Sequence, residues 1–330
     1  MRCLRLSSLF AAILASSVVF AFELSLDPAK RTVTVTASSP AEVVRYTLNG
    51  KDPDFSAGVY LAPIELPEGG TVKAAAFEGN KVVGKVSTLP VHFDGSSGPK
   101  NSALLPLTQN RDWRSYDWVV RHNEILALNQ PGAIQADVAF IGDSITHFWS
   151  GEPKAKRVAG KESWEKWIIP HHPINLGYGW DRTENVLWRL RHGEIAGLKP
   201  KAFVVLIGTN NLSGFNSPAE TAEGVAEVCR ELRRQAPQAK ILLLAILPRQ
   251  AKPDATRQRV TDTNKLLQAH MLLKSQGPRI ADAFVDVTDK LVEADGSILK
   301  ETMGDYLHPT NKGYEVMGAA IDAQLKAWSL

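Results

Sequence analysis

Residues 138–144 have the sequence VAFIGDS, in which a continuous apolar run ends in a glycine, an aspartate and a serine. Further short apolar runs, separated by stretches of helical pattern, follow at 174–176, 203–207, 241–247 and 284–287. Strands that are apolar on both faces are typical of a parallel sheet covered by helices on each side. The chain from about residue 106 to its end is therefore predicted to form an α/β domain.

The helices of this half begin with recognisable signals. The sequence SPAE at 217–220 combines a capping box with proline at the first helical position, and Asp181 with Glu184 suits the start of an earlier helix. Cys229 belongs to an apolar stripe with helical spacing, so it is predicted to be a small core residue.

The N-terminal part of the chain has a different pattern. Short β-type runs lie between turn signals such as Asn49-Gly50 and Gly79-Asn80, at 32–36, 43–48, 71–77 and 82–86. This pattern predicts a small antiparallel β-sandwich over 22–94. Residues 94–102, with the sequence DGSSGPKNS, have the composition of a linker, which places a predicted connection at 95–105 and the α/β domain at 106–330.

The first 21 residues have the pattern of an export signal. Arg2 and Arg5 precede a mostly apolar stretch at 9–20, and Val19-Phe20-Ala21 resembles a signal-peptidase site. The apolar run is shorter than the roughly 18 to 20 residues that a membrane span needs. We therefore expect residues 1–21 to be removed and the protein to be exported to a periplasm or beyond the cell.

Removal of this segment lowers the formal charge from +3 to +1, because the segment holds two arginines and no acid. Such a balance argues against nucleic acid or an anionic membrane surface as a partner. Cys229 would be the single remaining thiol, which excludes an intramolecular disulfide.

Three predicted strands end in polar or glycine-rich loops, with the sequences GDS at 142–144, NLGYGWD at 175–181 and GTNN at 208–211. The carboxyl ends of parallel strands meet at one edge of a sheet, so these loops are expected to form one crevice. A site at that crevice is the central functional prediction.

Ser144 is the candidate nucleophile, and a serine hydroxyl needs a base to act. The sequence DYLHP at 305–309 supplies one, because Asp305 and His308 lie close enough for the carboxylate to orient the imidazole while its other nitrogen faces the serine. A Gly-Asp-Ser turn or a histidine before proline is weak evidence alone, since each is commonly structural. Their combination with the asparagine loop is much stronger.

Asn210 is predicted to donate a hydrogen bond to an oxyanion, together with the backbone amides of Ser144 and of Gly179 or Trp180. As an alternative, Asn210 is simply a turn residue. His147 and Trp149 follow the nucleophile closely and are candidates for the substrate pocket, although His147 would equally suit packing of the next helix.

Histidines 171 and 172 lack a third ligand for a metal, so no metal site is expected there. Trp164, Trp167 and Trp188 are predicted to be core aromatics rather than sugar platforms.

The four loops resemble the sequence blocks of the SGNH hydrolases, also called GDSL esterases, in the same order along the chain. The sequence NVLWRL at 185–190, together with GTNN, is most similar to the branch that contains platelet-activating-factor acetylhydrolase catalytic subunits and bacterial carbohydrate acetylesterases. The resemblance spans about 106–330. It implies a flavodoxin-like three-layer fold with a five-stranded parallel sheet and ester hydrolysis without metal or cofactor, in which Ser144 is the nucleophile, His308 the base and Asp305 its orienting partner.

The chain departs from that family at one position. Many relatives have glycine immediately before the aspartate of the second block, where its amide lines the oxyanion hole, and here Trp180 occupies the place. A bulky residue at positive φ is strained, so Gly179 and Trp180 both remain candidates for the donor.

The expected substrates follow from both halves of the chain. The sequences YTLNGKDP at 46–53 and TVKAAAF at 71–77 resemble the small β-sandwich at the C-terminus of chitobiases and hexosaminidases. The leading expectation is therefore hydrolysis of short-chain esters of carbohydrate, with acetyl as the expected acyl group. A lipid esterase and a noncatalytic glycan-binding protein are the alternatives, and the sequence does not define the oligomeric state.

Overall fold

A computed structural model of the chain describes residues 22–38, 43–96, 98, 100–130, 135–272 and 279–330. The predicted export signal at 1–21 lies outside these residues. None of the helices in the described ranges is both long and apolar enough to cross a membrane.

The N-terminal part consists of antiparallel strands in two sheets. One sheet has the order β1-β2-β5 and the other β4-β3-β6-β7. The strands are β1 (Phe22–Asp27), β2 (Thr32–Ala37), β3 (Val43–Thr47), β4 (Gly58–Val59), β5 (Ile64–Glu65), β6 (Gly70–Glu78) and β7 (Lys81–Val91). In β2 the buried Val33 and Val35 alternate with more exposed threonines, as a strand with one face on a core requires. The predicted β-sandwich is confirmed as a separate β domain.

The C-terminal half contains a five-stranded parallel sheet with the order β12-β11-β10-β8-β9. Its strands are β8 (Val138–Gly142), β9 (Pro173–Gly177), β10 (Ala202–Leu206), β11 (Lys240–Leu244) and β12 (Ala283–Val285). The helices are α1 (Trp118–Leu128), α2 (Ser144–His147), α3 (Lys161–Ser163), α4 (Thr183–Arg191), α5 (Pro218–Gln235), α6 (Ala255–Leu272), α7 (Thr288–Leu291) and α8 (Asn311–Ala327). This arrangement confirms the predicted flavodoxin-like three-layer fold.

Two apolar cores lie on opposite faces of the sheet. Ala139 and Ile141 of β8 belong to the core that also contains α1, α4, α5 and α6 residues, whereas Val138 and Phe140 belong to the core with α8. Cys229 is fully buried in the first of these, where burial raises the pKa of its thiol to about 12. Its predicted role as a core residue is confirmed.

The strand order reverses next to β8, because the chain passes from β8 outward to β9 and then returns to β10 on the other side. Ligands of open α/β sheets bind at such a switch point, outside the carboxyl ends of the strands. Ser144 follows β8 and Asn210 follows β10, so the two residues flank the switch point.

The two domains are packed against each other. Thr108 Oγ1 donates to the Val59 carbonyl at 2.7 Å, and Asn110 Nδ2 donates to the Phe55 carbonyl at 2.9 Å. Arg191 of α4 pairs with Glu65 of β5 at 2.7 Å. Within the predicted connection, Asn101 Nδ2 donates to the Glu220 carbonyl of α5 at 3.0 Å.

Candidate active site

Ser144 is the first residue of the short helix α2, directly after the carboxyl end of β8. Asp143 Oδ1 accepts the Ile145 amide at 2.9 Å and so fixes the turn between strand and helix. Gly142 is required there, because a Cβ would lie 2.5 Å from the Leu206 carbonyl oxygen of the neighbouring strand. This close packing holds the serine at the sheet edge.

The Asp305–His308 turn meets Ser144 in hydrogen-bonding geometry. Ser144 Oγ lies 2.8 Å from His308 Nε2, and His308 Nδ1 lies 2.7 Å from Asp305 Oδ2. Asp305 Oδ1 also accepts the backbone amides of His308 at 2.7 Å and Leu307 at 3.2 Å. The carboxylate therefore fixes the backbone of the turn as well as the ring.

The electrostatics suit a neutral imidazole beside an ionised carboxylate. Burial lowers the pKa of His308 and outweighs the opposing effect of Asp305. Partial burial alone would raise the pKa of Asp305, but its hydrogen bonds with His308 and the His308 charge bring it to about 2. At neutral pH the ring can thus accept the serine proton, and the carboxylate can stabilise the resulting imidazolium.

Asn210 lies in the loop after β10 and lines the same cavity as Ser144 and His308. Its Nδ2 donates one hydrogen bond to the Asp181 carbonyl at 2.9 Å. A side-chain amide has two N–H groups, so this bond anchors Asn210 and leaves a second donor for a ligand.

The Gly179 part of the oxyanion-hole prediction is wrong. Its amide donates to His147 Nδ1 at 3.1 Å, and its carbonyl accepts Gln109 Nε2 and the Tyr116 hydroxyl, both at 2.9 Å. A larger residue would be crowded at this position, because a Cβ would lie 2.9 Å from Asp112 Oδ2. Its polar groups hold the loop together and are not available to a substrate.

Trp180 adopts the left-handed conformation, with φ of +63°, and its side chain lines the cavity. Its carbonyl accepts Arg111 Nη2 at 2.9 Å, whereas its amide donates to no other described residue. Of the two candidates, Trp180 is therefore the one whose amide remains available.

The two predicted pocket residues differ. His147 lines the cavity and accepts the Gly179 amide, and burial with the charges of Arg121 and Arg189 lowers its pKa to about 2, so it is neutral. Trp149 was predicted to line the pocket, and that prediction is wrong. It is 1% exposed, its indole donates to Gly160 and Ser163, and it stacks on Tyr314 in the α8 core.

A buried polar network beneath the 179–181 loop was not found from the sequence. Asp181 accepts hydrogen bonds from Gln109 Nε2 at 3.0 Å, Trp118 Nε1 at 2.8 Å and Arg189 Nε at 2.8 Å. Arg189 also pairs with Glu194, and Arg189, Asp181 and Glu194 are all fully buried. Gln109 and Trp118 are 72 and 63 residues from Asp181, so no local spacing indicated their contact.

This network also corrects the predicted start of α4. Asp181 does not cap the helix, which begins at Thr183, and Asn185 Oδ1 instead accepts the Arg182 amide at 2.9 Å. The tryptophan predictions agree with the structure, and both neighbouring histidines have acidic partners. His171 pairs with Asp322 and His172 with Asp137, while Trp164 and Trp188 are buried and Trp167 packs partly buried beside the α8 core.

A cavity of about 810 Å³ opens over Ser144 and His308. Its wall includes the aromatic residues Tyr116, Phe148, Trp180 and Phe215. It also includes the charged residues Asp112, Arg114, Lys156, Arg157 and Arg249. Within the described residues no cluster of histidine, cysteine, aspartate and glutamate side chains has the geometry to hold a metal ion.

Comparison with known proteins finds a family match in each part of the chain. Residues 140–316 match the GDSL-like lipase/acylhydrolase family, and residues 33–91 match the Fn3-associated family. Platelet-activating factor acetylhydrolase IB subunit alpha2 of Homo sapiens is 33% identical over 220 residues, which are 66% of this chain and 88% of that protein. Subunit alpha1 of Homo sapiens is 30% identical over 229 residues, 69% of this chain and 91% of that protein.

Solved structures with a similar fold include a GDSL-like lipase from Bacteroides thetaiotaomicron, with 21% identity and a TM-score of 0.47 over 63% of this chain and 97% of that chain. A carbohydrate acetylesterase from Sinorhizobium meliloti has 19% identity and a TM-score of 0.45 over 59% of this chain and 100% of that chain. On the family match and the sequence identity to the acetylhydrolase subunits, the chain is a carboxylic ester hydrolase and belongs to the GDSL-like lipase/acylhydrolase family.

Proposed function

We propose that this protein is an exported serine esterase that removes acetyl or similarly short acyl groups from carbohydrate through an acyl-enzyme on Ser144. The observation that carries the proposal is the chain of contacts from Ser144 Oγ to His308 at 2.8 Å and from His308 to Asp305 at 2.7 Å, at the floor of an open cavity. Export is supported by the N-terminal signal pattern at 1–21.

The reaction follows from these groups. His308 Nε2 takes the proton of Ser144 Oγ as the oxygen attacks the ester carbonyl carbon. Asn210 Nδ2 and the amides of Trp180 and Ser144 stabilise the tetrahedral oxyanion. The imidazolium then gives the proton to the departing alcohol, and a water activated by His308 releases the carboxylic acid and restores Ser144.

Two features support a short acyl group and a sugar ester. The indole of Trp180 occupies the cavity wall beside the proposed oxyanion hole, which restricts the space for an acyl chain. Trp180 and Phe215 are 47% and 58% exposed, which is unusual for large apolar side chains, and both line the cavity. Aromatic rings exposed beside a polar site provide flat contact surfaces for a sugar ring.

A series of p-nitrophenyl esters with the wild-type protein and Ser144→Ala tests the proposal. We expect acetate to be hydrolysed faster than octanoate, and Ser144→Ala to lose essentially all turnover. Preference for octanoate would contradict the short-acyl specificity, and full activity of Ser144→Ala would contradict the whole mechanism. Labelling of Ser144 by a fluorophosphonate separates an esterase from a noncatalytic glycan-binding protein.

A second candidate substrate is an acetyl ester of a phospholipid. It is favoured by the 33% identity to a platelet-activating factor acetylhydrolase subunit. Acetate release from acetylated xylan, compared with acetate release from a 2-acetyl phospholipid and fatty-acid release from lysophospholipid, distinguishes the candidates. Faster hydrolysis of either lipid would replace carbohydrate as the proposed substrate.

A further inference from the structure

The cavity over Ser144 has an uneven charge. Four cationic side chains line it, Arg114, Lys156, Arg157 and Arg249, against the single carboxylate of Asp112. The whole chain of 330 residues has a formal charge of only +3. The cavity wall therefore carries an excess of positive charge, although the chain as a whole is nearly neutral.

Most of these cations lack an acidic partner. Within the described residues, Arg114, Lys156 and Arg249 have no carboxylate within 4.0 Å, and Arg157 approaches Asp305 Oδ2 only at 3.7 Å. By contrast, Arg189 and Arg191 of α4 and Arg233 of α5 all form ion pairs at 2.8 Å or less. Arg114, Lys156 and Arg249 are thus available to an external anion, and Arg157 is held only loosely by Asp305.

Arg249 is the best-positioned member of this group. Its Nη1 donates to the Thr209 carbonyl at 3.1 Å and to Ser213 Oγ at 3.0 Å, which fixes the half-buried guanidinium beside the Asn210 loop. Its Nε and Nη2 donate to none of the described residues. An arginine stays charged under such conditions and presents paired N–H groups that match a carboxylate or phosphate.

Opposing charges around the cavity are weak or already occupied. Asp112 accepts the Ser115 hydroxyl at 2.7 Å, and burial raises the pKa of its carboxyl. The charges of Asp143 and Asp254 act on Arg249. Asp143 is itself buried, and burial raises its pKa to about 7, while Asp254 lies outside the cavity wall and accepts the Arg257 amide at 2.8 Å. Asp305 is bound to His308 at 2.7 Å.

We infer that Arg249, Lys156, Arg157 and Arg114 form an anion-binding subsite next to Ser144, so that the ester substrate bears a carboxylate or phosphate close to the acyl group. This inference rests on the proposed esterase function and specifies the chemical class of the alcohol part. An acidic sugar and a phosphorylated substrate would present the same chemistry to the arginines.

Matched acetyl esters test the subsite. The three esters carry one acetyl group at the same hydroxyl of methyl glucoside, of the methyl glycoside of glucuronic acid with its carboxylate free, and of glucose 6-phosphate. They differ mainly in charge, and the rate of acetate release gives kcat/KM for each. We expect at least one anionic ester to exceed the neutral one by about 10-fold, the scale of one charge-assisted hydrogen bond, with the advantage decreasing at high salt. The preferred anion identifies the source, and equal values for all three esters would overturn the inference.

The variants Arg249→Gln and Lys156→Gln are expected to reduce the ratio of anionic to neutral kcat/KM by several-fold. A merely structural role would lower both values together and leave the ratio unchanged, which would contradict the subsite. Arg230→Gln, in an exposed pair with Glu227 on α5, is the matched control and should keep the wild-type ratio. Hydrolysis of p-nitrophenyl acetate by the wild type and by Ser144→Ala is measured separately. If the anionic esters show no advantage but this hydrolysis depends on Ser144, only the anion-binding subsite is rejected. If no Ser144-dependent hydrolysis is found, the proposed esterase function is rejected.

Discussion

The Asp305–His308 turn and the Gly179–Asp181 loop both face Ser144, but they are held in place by different means. In the turn, Asp305 binds the ring and backbone of His308 three residues away. In the loop, Gly179 and Asp181 depend on Gln109, Tyr116 and Trp118, which are 63 to 72 residues distant. One half of the site is built by local spacing and the other by tertiary packing.

This difference predicts that a substitution in the turn lowers activity without lowering stability, whereas a substitution in the network that supports the loop lowers the stability of the fold. His308→Ala removes the proposed base and is expected to lower kcat for p-nitrophenyl acetate by about 10⁴-fold. The side chain contacts Asp305 within its own turn and lines the open cavity, so the urea midpoint of unfolding should change little. Retention of more than a few per cent of the activity would exclude His308 as the base.

Substitution of Arg189 is expected to lower the stability of the fold and, with it, the order of the Gly179–Asp181 loop. Arg189→Met leaves Asp181 and Glu194 buried without their cation, which typically costs about 3 to 5 kcal/mol of unfolding free energy. Urea denaturation followed by circular dichroism measures the effect. Arg230→Met, in an exposed pair, is the control and should stay within about 0.5 kcal/mol of wild type; equal stability of the two variants would contradict the role of the network.

Asn210 connects the two halves, because it is anchored to the Asp181 carbonyl and faces the cavity. Asn210→Ala should lower kcat by about 100- to 1,000-fold, the usual effect of removing one oxyanion donor. KM for p-nitrophenyl acetate should remain similar, since the donor acts on the transition state. An effect on KM alone would assign Asn210 to substrate binding instead.

Trp180 is expected to set acyl-chain length with little effect on stability. Trp180→Gly relieves the strain at φ of +63° but makes the unfolded chain more flexible, and these effects oppose each other. The octanoate-to-acetate ratio of kcat/KM should rise about 10-fold as the cavity wall opens. Trp180→Phe retains an aromatic ring and should keep the preference for acetate; an unchanged ratio in Trp180→Gly would show that another residue limits the chain.

The smallest predicted effect is a shift in pH dependence. His308 acts as a base only when neutral, so kcat/KM for p-nitrophenyl acetate should rise with pH through the pKa of His308. Because burial lowers that pKa, the midpoint should lie below the ordinary 6.5. Asp305→Asn removes a group that raises the pKa, so the midpoint of the residual activity should move lower still. A midpoint above 6.5 would contradict the balance of burial and charge derived from the structure.

Some features of the site could be predicted because they depend on neighbours in the sequence. The strand before Ser144, the glycine turn and the Asp305–His308 spacing all act within a few residues, and each is present in the structure. The positions of Trp149 and Gly179 could not be predicted in this way. Trp149 stacks on Tyr314 in the core, and the Gly179 amide donates to His147. Both partners are distant in the sequence.

The sequence by itself determined the α/β class of the larger domain and the β domain before it, and it predicted that Ser144, His308 and Asp305 come together. Hydrophobic periodicity and short motifs carry that information, because they reflect backbone geometry over a few residues. Only the tertiary structure decided which amide near Trp180 is available and that Arg114, Lys156, Arg157 and Arg249 share one cavity. Those properties depend on side chains that come together from separate loops at the edge of the sheet. The local sequence around each residue does not predict where its side chain points.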